Sequence, residues 1–286
     1  MTRAVMAVLV ACLLAACASA PEPAASPPAP SAPPAPPRDA ATATAIEQIL
    51  ASEHRSAENR ARDIYQHPVD TLLFFGIKPE MTVVEVWPGA GGWYTEILAP
   101  LLAARGKLYA AMMPAVPGNA YLTGAFKSFT NKLAARPDFY GRVDVTALAP
   151  GNFAIAPPGS ADMVLTFRNI HGWMNLDMAP QAFAEIFRAL KPGGIFGVVE
   201  NRGPAKPQDP RAASGYVNED YAIAMIEAAG FELVARSGLN DNPKDTKDYE
   251  QGVWTLPPNY RLGNRDRAKY EAIGESDRFT LKFRKK

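Results

Sequence analysis

The stretch Val84-Glu85-Val86-Trp87-Pro88-Gly89-Ala90-Gly91-Gly92-Trp93-Tyr94 constrains the fold more than any other part of the chain. An apolar, β-branched run ends beside an acid, and a Gly-x-Gly turn then opens a helical pattern. Glycine lets backbone approach a ligand where a side chain would block it. Alone such a turn says little, but its setting is specific. Thr82 to Trp87 predicts a first strand, Tyr94 to Ala104 a helix and Lys107 to Met112 a second strand. Further strands are predicted near Val143 and over Asp162 to Phe167, Ile195 to Glu200, Phe231 to Arg236 and Phe279 to Phe283, with helices over Ala179 to Leu190 and Asp220 to Ala229. Alternation of this kind gives an α/β, doubly wound, mostly parallel sheet, with the ligand site at the carboxyl ends of the strands where their order reverses. Ahead of the first strand, Ala45 to Tyr65 predicts a polar, solvated helix, and Val69 to Phe75 a second helix closed by Gly76.

Charge and cysteine usage exclude several classes. The 286 residues carry 30 Lys+Arg against 29 Asp+Glu, so no cation excess is available to neutralise phosphates, and nucleic acid is not expected as a partner. Both cysteines, Cys12 and Cys17, precede the folded part, which leaves it without a disulfide or a cysteine metal cluster; His54, His67 and His171 are too scattered for a histidine centre, so no metal is expected. Neither a phosphate-loop pattern nor a Gly-x-Ser-x-Gly elbow occurs. The acids of Asn240 to Glu250 lack the spacing of a calcium loop and predict a solvated insertion.

Residues 1–16 combine Arg3, an apolar run from Ala4 to Leu14 and two small residues, the pattern of a signal peptide. The run is short of the roughly 20 apolar residues that span a bilayer. Leu14-Ala15-Ala16-Cys17 resembles the lipobox of bacterial lipoproteins. That resemblance implies a lipid-modified Cys17, a membrane partner through the lipid and, with Ala18 and Ser19 following, an outer-membrane address facing the periplasm. Residues 17–42 then form a linker. Nine prolines fall between Pro21 and Pro37, so the segment predicts a polyproline spacer of roughly 50 Å at about 3.1 Å per residue; a ligand for a proline-recognition domain is the alternative. The domain itself is expected over 43–286.

The glycine loop, the later Leu190-Lys191-Pro192-Gly193-Gly194 turn and the terminal Asp277-Arg278-Phe279-Thr280-Leu281-Lys282-Phe283 together resemble the class I S-adenosylmethionine-dependent methyltransferases. Gly76-Ile77-Lys78-Pro79, Trp93 to Leu98 and Thr166 to His171 resemble in particular a group of predicted methyltransferases exported by bacteria. The resemblance implies a Rossmann-like, seven-stranded sheet with an antiparallel last strand, S-adenosylmethionine as cofactor across the Glu85 to Gly91 loop, and a small-molecule acceptor. Three positions depart from the pattern. Trp87 stands at the motif's first glycine, the second strand ends in Ala110-Ala111-Met112-Met113 without the usual ribose-holding acid, and Asp144 is the nearest acid to the expected adenine contact.

The candidate cofactor residues are Glu85, Trp87, Gly89, Gly91, Tyr94 and Asn169. Glu85 can accept from an ammonium or hydroxyl; of Trp93 and Tyr94, one is expected to pack the core. His171 is the candidate base by its titration range, with Glu200 as a second, and Arg168 and Arg202 are candidates for binding an anionic substrate. The alternative for His171 is a histidine that pins its loop by hydrogen bonds. For the whole chain it is a non-catalytic, ligand-binding lipoprotein on the same fold.

Overall fold

The computed structural model describes residues 39–286; the signal, Cys17 and nearly all of the proline spacer lie outside them. Eight strands form one sheet: β1 (Thr82–Val86), β2 (Lys107–Met112), β3 (Val143–Ala149), β4 (Asn152–Ala154), β5 (Ala161–Phe167), β6 (Leu190–Asn201), β7 (Phe231–Ser237) and β8 (Arg278–Lys285). Their order is β4-β3-β2-β1-β5-β6-β8-β7. The strands from β3 through β2, β1 and β5 to β6 are parallel, while β8 runs antiparallel to both β6 and β7. This is the expected doubly wound sheet with its antiparallel last strand, and β4 adds an eighth strand to the expected seven. Only three residues long, β4 folds back on β3 and has no alternation for a sequence pattern to display.

The helices are α1 (Ala40–Ala51), α2 (Ala57–Ala61), α3 (Asp63–Gln66), α4 (Pro68–Phe75), α5 (Thr95–Leu102), α6 (Ala120–Ala135), α7 (Pro137–Tyr140), α8 (Ile170–Asn175), α9 (Ala179–Ala189), α10 (Glu219–Ala228) and α11 (Arg267–Ile273). The period of two along β1 sends Val83 to a core shared with Leu72, Ile97 and Phe129, on the α4, α5 and α6 side. It sends Val84 and Val86 to the opposite core, with Trp173, Phe183 and Ile226 of α8, α9 and α10. Burying both faces is what makes the parallel strands near-continuous apolar runs.

Two expectations are corrected. The single solvated helix over Ala45 to Tyr65 is instead α1, α2 and α3, because the chain turns extended at Ser52 and restarts at Ser56, whose hydroxyl caps Asn59 N at 3.1 Å. Arg55, between them, is buried and bonds both oxygens of Asp63 at 2.6 and 2.9 Å. The segment Asn240 to Glu250 is largely exposed, as expected, but is more than a solvated insertion. Asn240 and Asp245 are buried, and Asp245 accepts from Tyr216 Oη at 3.0 Å and Asp277 N at 2.8 Å, which fastens the segment to the start of β8.

Candidate functional site

The order of the strands reverses on either side of β1, so the crevice above the tips of β1 and β5 is where a doubly wound sheet places a ligand. Its floor is Glu85. Pleating turns this side chain toward α5, whose first residue, Thr95, donates its hydroxyl at 2.6 Å. Among the described residues, no arginine or lysine is paired with the carboxyl, and burial pushes it up to about 7, against the opposing pull of Thr95 and the Lys132 charge. Above it Gly89, at φ 74°, and Gly91 face open space: a Cβ on either would meet nothing within 4 Å. An approaching ligand therefore meets bare backbone, as the Gly-x-Gly turn predicts.

Trp87 behaves differently from the glycine it replaces. It keeps the left-handed backbone, φ 47°, and its N donates to Ala111 O at 2.9 Å, at the end of β2. The indole lies close to Gly172, where a Cβ would come within 3.0 Å of Cζ3, and edge-on to Trp173 at 6.1 Å. Its Nε1 donates to Leu148 O at 2.7 Å, near the carboxyl end of β3. The side chain thus spans from the tip of β1 to the tip of β3, the path over which the sequence resemblance lays an adenosyl group. Asp144 is at the other end of β3, paired with Tyr109 in register and with Lys107 Nζ at 2.6 Å, so it is not an adenine contact. What remains open beside Glu85 is about 40 Å³, against roughly 300 Å³ or more for a pocket enclosing an organic ligand. The glycine loop fits a cofactor's approach; the indole must leave before an adenosyl group can lie where the resemblance puts it.

Tyr94 is the aromatic residue that stacks on the β5 tip, on Phe167 with centroids 3.4 Å apart and planes at 10°, while Trp93 meets it edge-on and donates Nε1 to Asn59 O at 2.8 Å. Both are buried. Asn169 donates Nδ2 to Val86 O at 2.8 Å, tying the tip of β5 to that of β1.

His171 and Glu200, predicted as separate candidates, form a pair. Glu200, next to last in β6, is fully buried, and its Oε1 lies 3.0 Å from His171 Nδ1 and accepts from Asn201 N at 2.7 Å; Oε2 accepts from His171 N at 3.3 Å. The carboxylate orients the ring, and the edge of Trp254 stands 5.9 Å away. Glu200 occupies Nδ1 and leaves Nε2 as the nitrogen for proton transfer, and His171 is not among the residues that line the cleft beside Glu85. Arg168, at φ 63°, is brought to the cleft beside Glu85 and Trp87. Arg202 is not. It answers Asp241 at 2.7 Å, Glu219 at 3.2 Å and Asp277 at 3.3 Å, and lines a separate open groove of about 660 Å³.

The sequence reading missed Arg62, Gln66, Glu275 and Arg278. Arg62 and Gln66 enter from α3 and its N-terminal cap, where the pattern suggested only a solvated face, and converge on the buried Glu275 just ahead of β8. The only signal was the run Glu275-Ser276-Asp277-Arg278, acids close to an arginine at the start of the terminal strand. Among the described residues, no three His, Cys, Asp or Glu side chains are placed to hold a metal, and no helix is long and apolar enough to cross a membrane.

Comparison with protein-family models gives no match. The chain is similar to sterol 24-C-methyltransferase ERG6B of Gibberella zeae, at 27% identity over 220 residues, which cover 71% of this chain and 52% of that one; it thus spans about half the length of this curated relative. Among solved structures it resembles an S-adenosylmethionine-dependent methyltransferase of Aquifex aeolicus, with a TM-score of 0.52 at 16% identity over 85% of this chain and 97% of that one. The cyclase SpnF gives the same TM-score at 17% identity, over 85% and 92%. The chain has the methyltransferase fold, a fold on which a cyclase is also built, so its chemistry has to be argued from the site.

Proposed function

We propose that this chain is an S-adenosylmethionine-dependent methyltransferase acting on a small-molecule acceptor, anchored by a lipid on Cys17 to the outer membrane and facing the periplasm. One observation carries the catalytic reading: the buried Glu85, without a cationic partner, lies beneath a glycine loop that is open above it. The bound cofactor would supply an electrophilic methyl group on a sulfonium. Glu85 holds an ammonium or hydroxyl, Gly89 and Gly91 admit the ligand to the backbone, Tyr94 walls the cleft and Asn169 keeps the tips of β1 and β5 together. Trp87 packs against the ligand once its indole has swung aside. His171 takes the acceptor's proton, with Glu200 fixing the ring. Positioning supplies much of the acceleration in such transfers. Calorimetric titration of the purified chain with S-adenosylmethionine tests this; saturable heat is expected, and its absence at millimolar ligand overturns the reading.

The second reading is a non-catalytic ligand-binding lipoprotein on the same fold. It is favoured by Trp87, whose indole fills the adenosyl path, and by the missing acid at the end of β2. For the anchor, Cys17→Ser is expected to release the protein from membranes, and retention contradicts lipidation there.

A further inference from the structure

Of the sixteen residues of α6 only Phe129 and Leu133 are buried, both in its second half. That half is fixed at the glycine loop. Phe129 lies against Gly92, where a Cβ would meet its Cε2 at 2.9 Å, and Lys132 Nζ donates to Gly91 O at 2.5 Å and pairs with Glu96. From Ala120 to Phe129 the helix rises about 13 Å, at about 1.5 Å per residue, so its first turns extend beyond the anchored part. There Tyr121 is 82% exposed and Val116, in the loop ahead of the helix, 38%. Residues 115–121 are exposed without a break. A helix in a folded chain draws most of its stability from burying an apolar face, and this tip leaves its apolar side chains uncovered.

Charge and size say what covers it. No charged residue occurs from Leu108 to Phe126, and residues 97–137 contain no acid at all. Lys127, exposed at the base of the tip, has no acid partner among the described residues, whereas Lys107, Lys132 and Arg136 are paired with Asp144, Glu96 and Asp138. Anionic headgroups therefore meet a free ammonium and no carboxylate. Tyrosine suits the boundary of a bilayer, its ring among the acyl chains and its hydroxyl in water, and a flanking lysine adds attraction to negative lipid. A protein partner needs more than this, since a stable interface takes roughly 20–30 residues a side and the exposed run is 115–121. Shallow insertion into a bilayer asks only for a small apolar tip.

We propose that the loop before α6 and the first two turns of that helix dock on an anionic phospholipid bilayer, with Val116 and Tyr121 entering the headgroup boundary and Lys127 facing the phosphates. The contact goes beyond the lipid anchor and stands without it. On the anchor reading, Cys17 and the cap of α1 at Asp39 are about 70 Å apart in polyproline form, at about 3.1 Å per residue, so the tether brings the tip back to the same bilayer at high effective concentration. Because α6 also holds Gly91, the helix that docks is the one that borders the glycine loop.

Vesicles of equal parts phosphatidylethanolamine and phosphatidylglycerol test this on the full chain. Cys12→Ser and Cys17→Ser remove lipidation and leave Ala120→Cys as the single thiol, which carries a nitrobenzoxadiazole label beside Tyr121. A blue shift of the label on adding vesicles is expected there, and none from Ala224→Cys, an exposed position of α10, which packs on the opposite face of the sheet. Val116→Asp is expected to abolish the shift at 120 and Lys127→Glu to weaken it; thermal melting of each variant confirms that it is folded. The site is overturned by the absence of a shift at 120, by equal shifts at 120 and 224, or by a full shift in folded Val116→Asp or Lys127→Glu. It is equally overturned by a shift that follows protein concentration without vesicles, which assigns the tip to a second copy of the chain. Serine replaces Cys17 throughout, so failure of the lipid anchor leaves the result standing, and a chain lipidated in cells but unshifted here fails this site alone.

Discussion

Trp87 Nε1 donates to Leu148 O at 2.7 Å, joining the tip of β1 to that of β3 across the cleft. Two departures from the methyltransferase pattern thereby meet in one place. The residue standing at a glycine position bonds through its backbone to Ala111, in the strand end that lacks a ribose-holding acid. A diol has no carboxylate acceptor there, and an indole occupies the approach to it.

Glu85 makes stability depend on pH. Its folded value of about 7 lies above the ordinary 4.5, so between those values the native state keeps a proton that the unfolded chain has lost. The contribution of this group is fully present below pH 4.5, declines as the pH rises and is gone above about 7, a change of about 3 kcal/mol. Glu85→Gln is expected to flatten that decline and to be the more stable protein at pH 8 in urea melts. Parallel wild-type and variant profiles contradict an isolated buried carboxyl.

The His171 and Glu200 pair separates a base from a structural pin. His171→Ala is expected to lower turnover by about 10²–10⁴-fold with cofactor affinity unchanged. Glu200→Gln keeps the shape of the side chain but loses the carboxylate that orients the ring through Nδ1, and is expected to lower turnover with cofactor affinity unchanged. Full turnover in His171→Ala returns the residue to a hydrogen-bonding role.

Neighbouring glycines have opposite roles. Gly92, at φ 55°, would place a Cβ 2.9 Å from Phe129 Cε2 and 3.1 Å from Thr95 Oγ1, the donor to Glu85. Gly92→Ala is expected to destabilise by about 1–3 kcal/mol, through backbone strain and overpacking together. Gly91→Ala meets open space and is expected to melt like the wild type while binding cofactor more weakly. Denaturation and titration of both variants check this, and equal stability of the two contradicts it.

The sheet was legible because β1 and β5 are short apolar runs each followed by a helix, and β2 occupies the predicted Lys107 to Met112. Glu85, Gly89 and Gly91 were legible because the turn is local in sequence. The cluster around Glu275 was not, since Arg62 lies 213 residues away from it and no local spacing encodes so distant an ion pair. Arg55 misled for a related reason. A buried arginine bonded to Asp63 has the composition of a solvated helix, and only its burial tells the two apart. Trp87 was legible only as a departure from the glycine of the motif; its backbone takes the left-handed conformation that favours glycine while its ring reaches the far strand.

The central claim, that the indole of Trp87 and an adenosyl group compete for one place, is tested most directly by calorimetric titration of S-adenosylmethionine into wild type and Trp87→Gly. Glycine accepts the left-handed backbone without strain and vacates the path. At least tenfold tighter binding by the variant is predicted; equal or weaker binding contradicts the account.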